Sequence, residues 1–128
     1  MRDLASNINI GVALVPAVLT ATTKGNAMDL MGVNGAVFVV NAGAIVGAGL
    51  FTSKIQDSDT TTDADFTDVA AGDQVGTFQA SLAASSVTSV GYIGHKRYAR
   101  VVLTKVSGTS LVAGAIVIVG ALASRPVA

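Results

Sequence analysis

The chain has 128 residues, of which 51% are hydrophobic and only 12% charged, with a formal net charge of zero and no cysteine. A chain of this length forms a single domain with its own core, and without cysteine it has neither disulfides nor thiolate metal sites. Zero net charge excludes the electrostatic surface on which nucleic-acid binding depends, and so few charges favour a protein that works within an assembly.

The N-terminal region contains an apolar run that does not have the pattern of a secretion signal. Asp3 neutralises Arg2, and Pro16 interrupts the run, whereas a signal peptide has a basic start and an unbroken apolar centre. Two uncharged stretches, 33–51 and 106–124, are long enough to span a bilayer. Both are dense in Gly, Val and Ile, and no basic cluster flanks either. We interpret them as buried strands joined by glycine turns, and we expect no membrane partner.

Alternating apolar and polar residues predict strands along the chain. Residues 50–56 and 97–105 alternate as half-buried strands do. Residues 35–41 and 111–119 are continuous apolar runs, which are typical of strands buried on both faces. Shorter candidate strands are 17–21, 27–31, 74–79 and 86–93.

The turn signals between these runs predict the fold class. Gly and Asx turns recur at short intervals, and all eight acidic residues are Asp rather than the better helix former Glu. The pattern indicates an all-β sandwich or barrel, and of the two we predict an antiparallel β-sandwich. It forms one domain over 1–128, with extended tails at about 1–10 and 122–128.

The glycine-rich run Gly43–Gly49 follows the first long predicted strand. It lacks the order of residues that a phosphate-binding loop needs. We predict a hairpin turn that presents Ala44, Ile45 and Val46. Three apolar residues at a turn are useful at an interface, so these three are candidate interface residues.

An Asp-rich loop, residues 57–73, contains six aspartates and no base. The spacing of its first four carboxylates resembles that of calcium ligands, but position six of the loop is Thr62 and position twelve is Asp68. A calcium loop needs glycine at the sixth position and a bidentate acid at the twelfth. The pattern favours a solvated loop and leaves a weak surface cation site open.

The single histidine and the main basic patch lie next to each other. His95 has neither a serine elbow nor further metal ligands near it in the sequence, so a turn residue is expected there. Lys96, Arg97 and Arg100 surround Tyr98. They pair either with the Asp-rich loop of their own chain or with acids of a neighbouring subunit, and in the second case they are interface residues.

Four segments together resemble the capsid decoration or cement proteins of tailed bacteriophages: 41–49, 54–59, 65–69 and 90–101. The resemblance covers roughly residues 35–120. It implies a jellyroll-like β-sandwich that oligomerises on the outside of an icosahedral head and braces adjacent capsomers. It supplies no catalytic residues.

These observations together predict a structural virion protein rather than an enzyme. The expected partners are the major capsid protein and the protein itself, as a homodimer or homotrimer, with no nucleic acid and no cofactor. Its expected location is the capsid surface, and the host cytoplasm during assembly. The alternatives are another phage part, such as a head-fibre base, a tail-tube protein or a head–tail connector, or a carbohydrate-binding sandwich module.

Overall fold

The computed structural model describes residues 8–30 and 33–122. Within those residues the chain forms strands and two single-turn 3-10 helices, at Asp63–Asp65 and Ala71–Asp73, and no α-helix. The strands are β1 (Asn9–Leu19), β2 (Thr23–Lys24), β3 (Met28–Asp29), β4 (Val33–Val46), β5 (Leu50–Ser58), β6 (Thr67–Asp68), β7 (Gln74–Val75), β8 (Ser86–Tyr92), β9 (Tyr98–Ser107) and β10 (Ser110–Leu122).

The strands form two antiparallel sheets that pack face to face. Sheet A has the order β1-β10-β4-β8-β7, and sheet B has the order β2-β9-β5-β6, with β3 also pairing with β9. Strands from the first half of the chain pair with strands from the second half: β1 with β10, β4 with β8, β5 with β9. This order is that of a jelly roll, and the predicted all-β sandwich is confirmed.

The core lies between the sheets and follows from side-chain alternation along the strands. In β4, Phe38 and Val40 are fully buried while Val37 is exposed, because successive side chains point to opposite faces of a sheet. Phe51 of β5 and Leu103 of β9 meet this layer from sheet B, and both are 0% exposed.

The four long predicted strands are confirmed, and each is longer than the alternation indicated. The largest difference lies in β1, because only residues 17–21 of that region were predicted to be a strand. Pro16 and two register shifts against β10 disrupt its alternation. The predicted tails, 1–10 and 122–128, lie outside the described residues except for 8–10 and 122. Of these, Asn9 and Ile10 belong to β1, and Leu122 ends β10.

The predicted position of the turn in Gly43–Gly49 is wrong. β4 continues through Val46, which pairs with Ser110, because Ile45 packs against the core opposite Leu111 and keeps the chain extended. The turn falls at the next two residues, Gly47 and Ala48, whose φ angles are +60° and +56°. It carries the chain from sheet A to sheet B and does not join two strands of one sheet.

Candidate interaction surface

The two sheets divide the charge of the molecule unequally. The five strands of sheet A contain no Asp, Lys, Arg or His at all. Every strand of sheet B carries at least one charged residue: Lys24, Asp29, Lys54, Asp57, Asp68, Arg100 and Lys105. Within the described residues, the charges of the strands therefore all lie on sheet B and none on sheet A.

The side chains of sheet A that point away from the core form continuous cross-strand rows. The rows are Ile10, Ile118, Val37 and Gly91; then Val12, Ile116, Val39 and Ser89; then Gly114, Asn41 and Val87. We call this surface the outer face of sheet A. Its polar side chains are short and uncharged, and most of the exposed large hydrophobic side chains among the described residues belong to sheet A. A contiguous apolar patch of this kind marks an interaction site.

The outer face of sheet A is grooved rather than flat. One groove of about 400 Å³ is lined by Val12, Pro16, Val39, Val87 and Ile116, among others. At Gly114 the Pro16 ring lies directly over the strand, because a Cβ atom there would be only 2.8 Å from that ring.

A second groove of about 530 Å³ lies at the other end of the same face. Its apolar lining includes Val37, Val75, Ile93 and Ile118. Gly120 also lines it, and nothing lies within 4 Å of the place where a side chain would begin. The absent side chain at Gly120 of β10 thus leaves a depression beside the Val and Ile side chains that line this groove.

The outer face of sheet B is covered by the Asp-rich loop. Arg100 points outward from β9, yet its side chain is only 8% exposed. Its guanidinium lies 2.7 Å from an oxygen of Asp63, donates to Gln56 Oε1 at 2.8 and 3.1 Å, and stacks 4.1 Å from the Phe66 ring centroid. The loop is thereby held against the sheet that carries the basic residues.

Further ion pairs hold the same loop along its length. The pairs are Lys24 with Asp63 at 2.9 Å, Lys54 with Asp68 at 3.0 Å and Lys96 with Asp59 at 3.1 Å. Hydrogen bonds from Lys24 and then Arg100 lower the pKa of Asp63. Hydrogen bonds from Gln56 and then Lys54 lower the pKa of Asp68.

The basic residues singled out in the sequence are therefore engaged within their own chain. Lys96 and Arg100 pair with the Asp-rich loop, and Arg97 lies 3.0 Å from Asp29. For Lys96 and Arg100 this is the first of the two pairings that the sequence left open, whereas the acid that pairs with Arg97 belongs to β3 and not to the Asp-rich loop.

The other candidate interface residues sit at the end of β4. Val46 is 52% exposed and Ala44 is exposed, whereas Ile45 is half-buried against the core. His95 is exposed in the segment between β8 and β9.

The residues of the outer face of sheet A were not singled out in the sequence, although a signal for them existed. The runs 35–41 and 111–119 were predicted to be buried on both faces. Within the described residues only one face of each strand is buried, because Val37 and Ile116 on the other face are exposed. The uncharged, apolar composition of both runs is the sequence signal for this surface.

Neither a metal site nor a membrane helix is found in the described part of the chain. It holds no group of three or more His, Cys, Asp or Glu side chains arranged to bind a metal ion. Among residues 8–30 and 33–122, no helix has the length and hydropathy needed to cross a bilayer.

A buried hydrogen bond links the two sheets. The Tyr92 hydroxyl of β8 donates to Asp57 of β5 at 2.8 Å and accepts from the Lys96 amide at 3.2 Å. Tyr92 is 3% and Asp57 6% exposed. Burial, and then the bond to Asp57, raises the pKa of Tyr92 well above its ordinary value of 10.0.

Comparisons with known proteins give structural similarities only. No protein-family model matches the chain, and none of the curated proteins compared matches it significantly. The SPBc2 prophage-derived protein YomS is similar at a TM-score of 0.47 and 15% identity, over 88% of this chain and 92% of that one. A chain of infectious bursal disease virus strain Gx is similar at a TM-score of 0.39 and 13% identity, over 88% of this chain and 31% of that one. Similarities at these scores carry no functional argument.

Proposed function

We propose that this protein is a non-enzymatic structural component of a bacteriophage virion that binds the outer surface of the icosahedral capsid. In this role it stabilises contacts between capsomers, as a decoration or cement protein does. Each copy contributes a modest interface, and the effect is multiplied over the many equivalent sites of the shell. The sum of these contacts resists the internal pressure of packaged DNA.

The observation that carries the proposal is the unequal division of charge between the two sheets. Sheet B is closed by ion pairs with its own Asp-rich loop. Sheet A presents a grooved apolar face without a charged residue in any of its strands. Apolar surface of this extent is stabilised by being covered, and an assembly provides the cover.

The segments that resemble cement proteins support the proposal because they meet in the fold. Segment 54–59 contacts segment 90–101 through Asp57 with Tyr92, and contacts segment 65–69 through Lys54 with Asp68. Three of the four segments that carry the resemblance are therefore connected in the fold.

The alternative from a different functional class has less support. A carbohydrate-binding module presents exposed aromatic platforms to its sugar. The chain has no Trp and two Tyr. Tyr92 is buried against Asp57, and the ring of Tyr98 is partly covered by the Arg97 guanidinium, 5.1 Å from its centroid.

The copy number in purified virions tests the proposal. Virions are separated on a denaturing gel, and this protein is quantified against the major capsid protein by mass spectrometry with isotope-labelled peptides. A cement protein is expected at a number comparable to that of the major capsid protein.

Two results would overturn the proposal. A copy number of about a dozen per virion would favour a head–tail connector, because connectors form closed rings of few subunits. Absence of the protein from purified virions would exclude a structural role. A separate treatment tests the location of the protein. If mild denaturant releases this protein alone and leaves the shell intact, the protein lies on the outside, as proposed.

A further inference from the structure

We infer that the outer face of sheet A is a homodimer interface, on which a second copy of the chain packs sheet against sheet about a two-fold axis. The inference shares with the proposed function the premise that this face is covered in an assembly. It names the occupant of the face, and it is testable without any capsid.

The absence of charge makes the face compatible with its own copy. In a two-fold interface the same surface meets itself, so every charged residue near the axis would face its own like charge. The strands of sheet A contain no such residue, whereas those of sheet B contain both signs. The outer face of sheet A can therefore be buried against its own copy without desolvating an unpaired ion, which is the main cost of burying polar surface.

The sequence pattern of the central strands indicates a second covering layer. β4 and β10 have the continuous apolar composition of strands that are buried on both faces. In the single chain their inner side chains are buried, but Ile116 is 38% and Val37 36% exposed. A second sheet packed on this face completes the burial that the composition indicates.

The shape of the face allows two copies to interlock. Val and Ile side chains form ridges on the face, and grooves of about 400 and 530 Å³ lie between them. Because ridges and grooves occur on the same surface, a two-fold rotation can place the ridges of one copy in the grooves of the other. Each groove has room for roughly a dozen waters or more, and apolar walls hold such waters poorly, so their release favours association.

The area of the face matches that of a stable interface. Strands β1, β10, β4 and β8 have 11, 13, 14 and 7 residues. At ~3.3 Å per residue and ~4.8 Å between strands, they cover roughly 700 Å² in projection. The relief of the side chains enlarges the accessible area beyond that projection. A standard interface buries ~800 Å² per partner, so the face has the size that a stable dimer needs.

At the β1 edge, sheet A opposes the other mode of association, in which strands pair side by side. Edge strand β1 carries Pro16 and two register shifts, and both features oppose pairing with another strand. Asn26 also occupies this edge, since its backbone amide donates to Ala13 O at 2.7 Å and its side chain to Val12 O at 3.1 Å. Side-by-side pairing through β1 is therefore disfavoured, and the face of the sheet stays available for association.

Sedimentation velocity over a concentration series tests the inference with a matched pair of variants. Val87 on the outer face of sheet A is 63% exposed, and Val106 on sheet B is 56% exposed. We expect a wild-type dimer in the micromolar range. Val87→Lys should raise its dissociation constant by about 100-fold or more, because two lysines are buried at the two-fold interface. Val106→Lys should leave it unchanged.

A milder pair of variants covers the case in which Val87→Lys does not fold, as judged by circular dichroism. The wild-type chain has no cysteine, so Ser89→Cys and Ser107→Cys each introduce one exposed thiol, on sheet A and sheet B respectively. We expect the alkylation rate of the thiol at position 89 to fall as the protein concentration rises. The alkylation rate of the thiol at position 107 should not change with concentration.

Several results would overturn the inference. They are a wild-type monomer throughout the series, a trimer or larger species, equal weakening by both lysine variants, or alkylation at position 89 that is independent of concentration. None of these results changes the number of copies counted in virions, so failure of the inference is distinguishable from failure of the proposed function.

Discussion

Replacing Tyr92 by phenylalanine removes a single oxygen atom from the contact between the two sheets. The hydroxyl donates a hydrogen bond to Asp57 at 2.8 Å and accepts one from the Lys96 backbone amide at 3.2 Å. The phenyl ring of the variant still fills the same space in the core. The variant therefore isolates the hydrogen bonds from the packing.

The expected loss follows from the burial of the partner. Asp57 is 6% exposed, so water does not readily replace the lost donor, and a hydrogen bond to a charged group contributes about 1.5–3 kcal/mol. The Lys96 amide lies near the surface and can bind water instead. We expect the free energy of unfolding to fall by about 2 kcal/mol, and the melting temperature by about 8 °C at ~4 °C per kcal/mol.

Thermal melts followed by circular dichroism, at one protein concentration, measure this loss. Tyr98→Phe is the matched control, because within the described residues the Tyr98 hydroxyl makes no hydrogen bond and only its ring contacts Arg97. It should change the melting temperature by less than about 2 °C. If Tyr92→Phe melts within the same margin, the buried hydrogen bond contributes nothing and the reasoning is refuted.

Three further predictions follow from the loop, the turn and the core. The pKa of Asp63 lies below its ordinary value of 3.8 in the folded protein, so its stabilising effect is complete above that pH and is lost as pH falls through the lowered value. Melting temperatures measured on either side of pH 3.8 should therefore fall less steeply with acid in Asp63→Asn than in the wild type, and parallel curves would count against the pairing. Ala48 has a φ angle of +56°, so Ala48→Gly should stabilise by about 0.5–1 kcal/mol in the same melts, whereas a lower melting temperature would contradict the strained turn. Phe51 is 0% exposed, and Phe51→Ala should cost about 3–5 kcal/mol in urea unfolding; a loss below about 1 kcal/mol would place it outside the core.

The sequence predicts the sandwich because a strand that buries one face alternates apolar and polar residues along the chain. In β5, Phe51 and Ile55 alternate with Thr52 and Lys54, and the structure buries the first pair. β1 does not show this period. Its register shifts against β10 place consecutive residues Ala13 and Leu14 both in the core, so alternation could not reveal the strand.

The candidate surface was harder to predict than the fold. Apolar composition in 35–41 and 111–119 indicates burial, but it does not say whether the covering layer belongs to the same chain. Likewise, the charges of Lys96, Arg97 and Arg100 indicate ion pairs without naming their partners. Only the three-dimensional arrangement shows that the acids of the same chain reach these bases and that Val37 and Ile116 are exposed within the described residues.

A cryo-electron microscopy reconstruction of the intact virion tests the central claim most directly. We expect sandwich-shaped density on the outer surface of the capsid, in pairs whose A sheets stack about 10 Å apart. Density in which the outer face of sheet A is open to solvent would contradict this expectation, and so would a virion that lacks the protein.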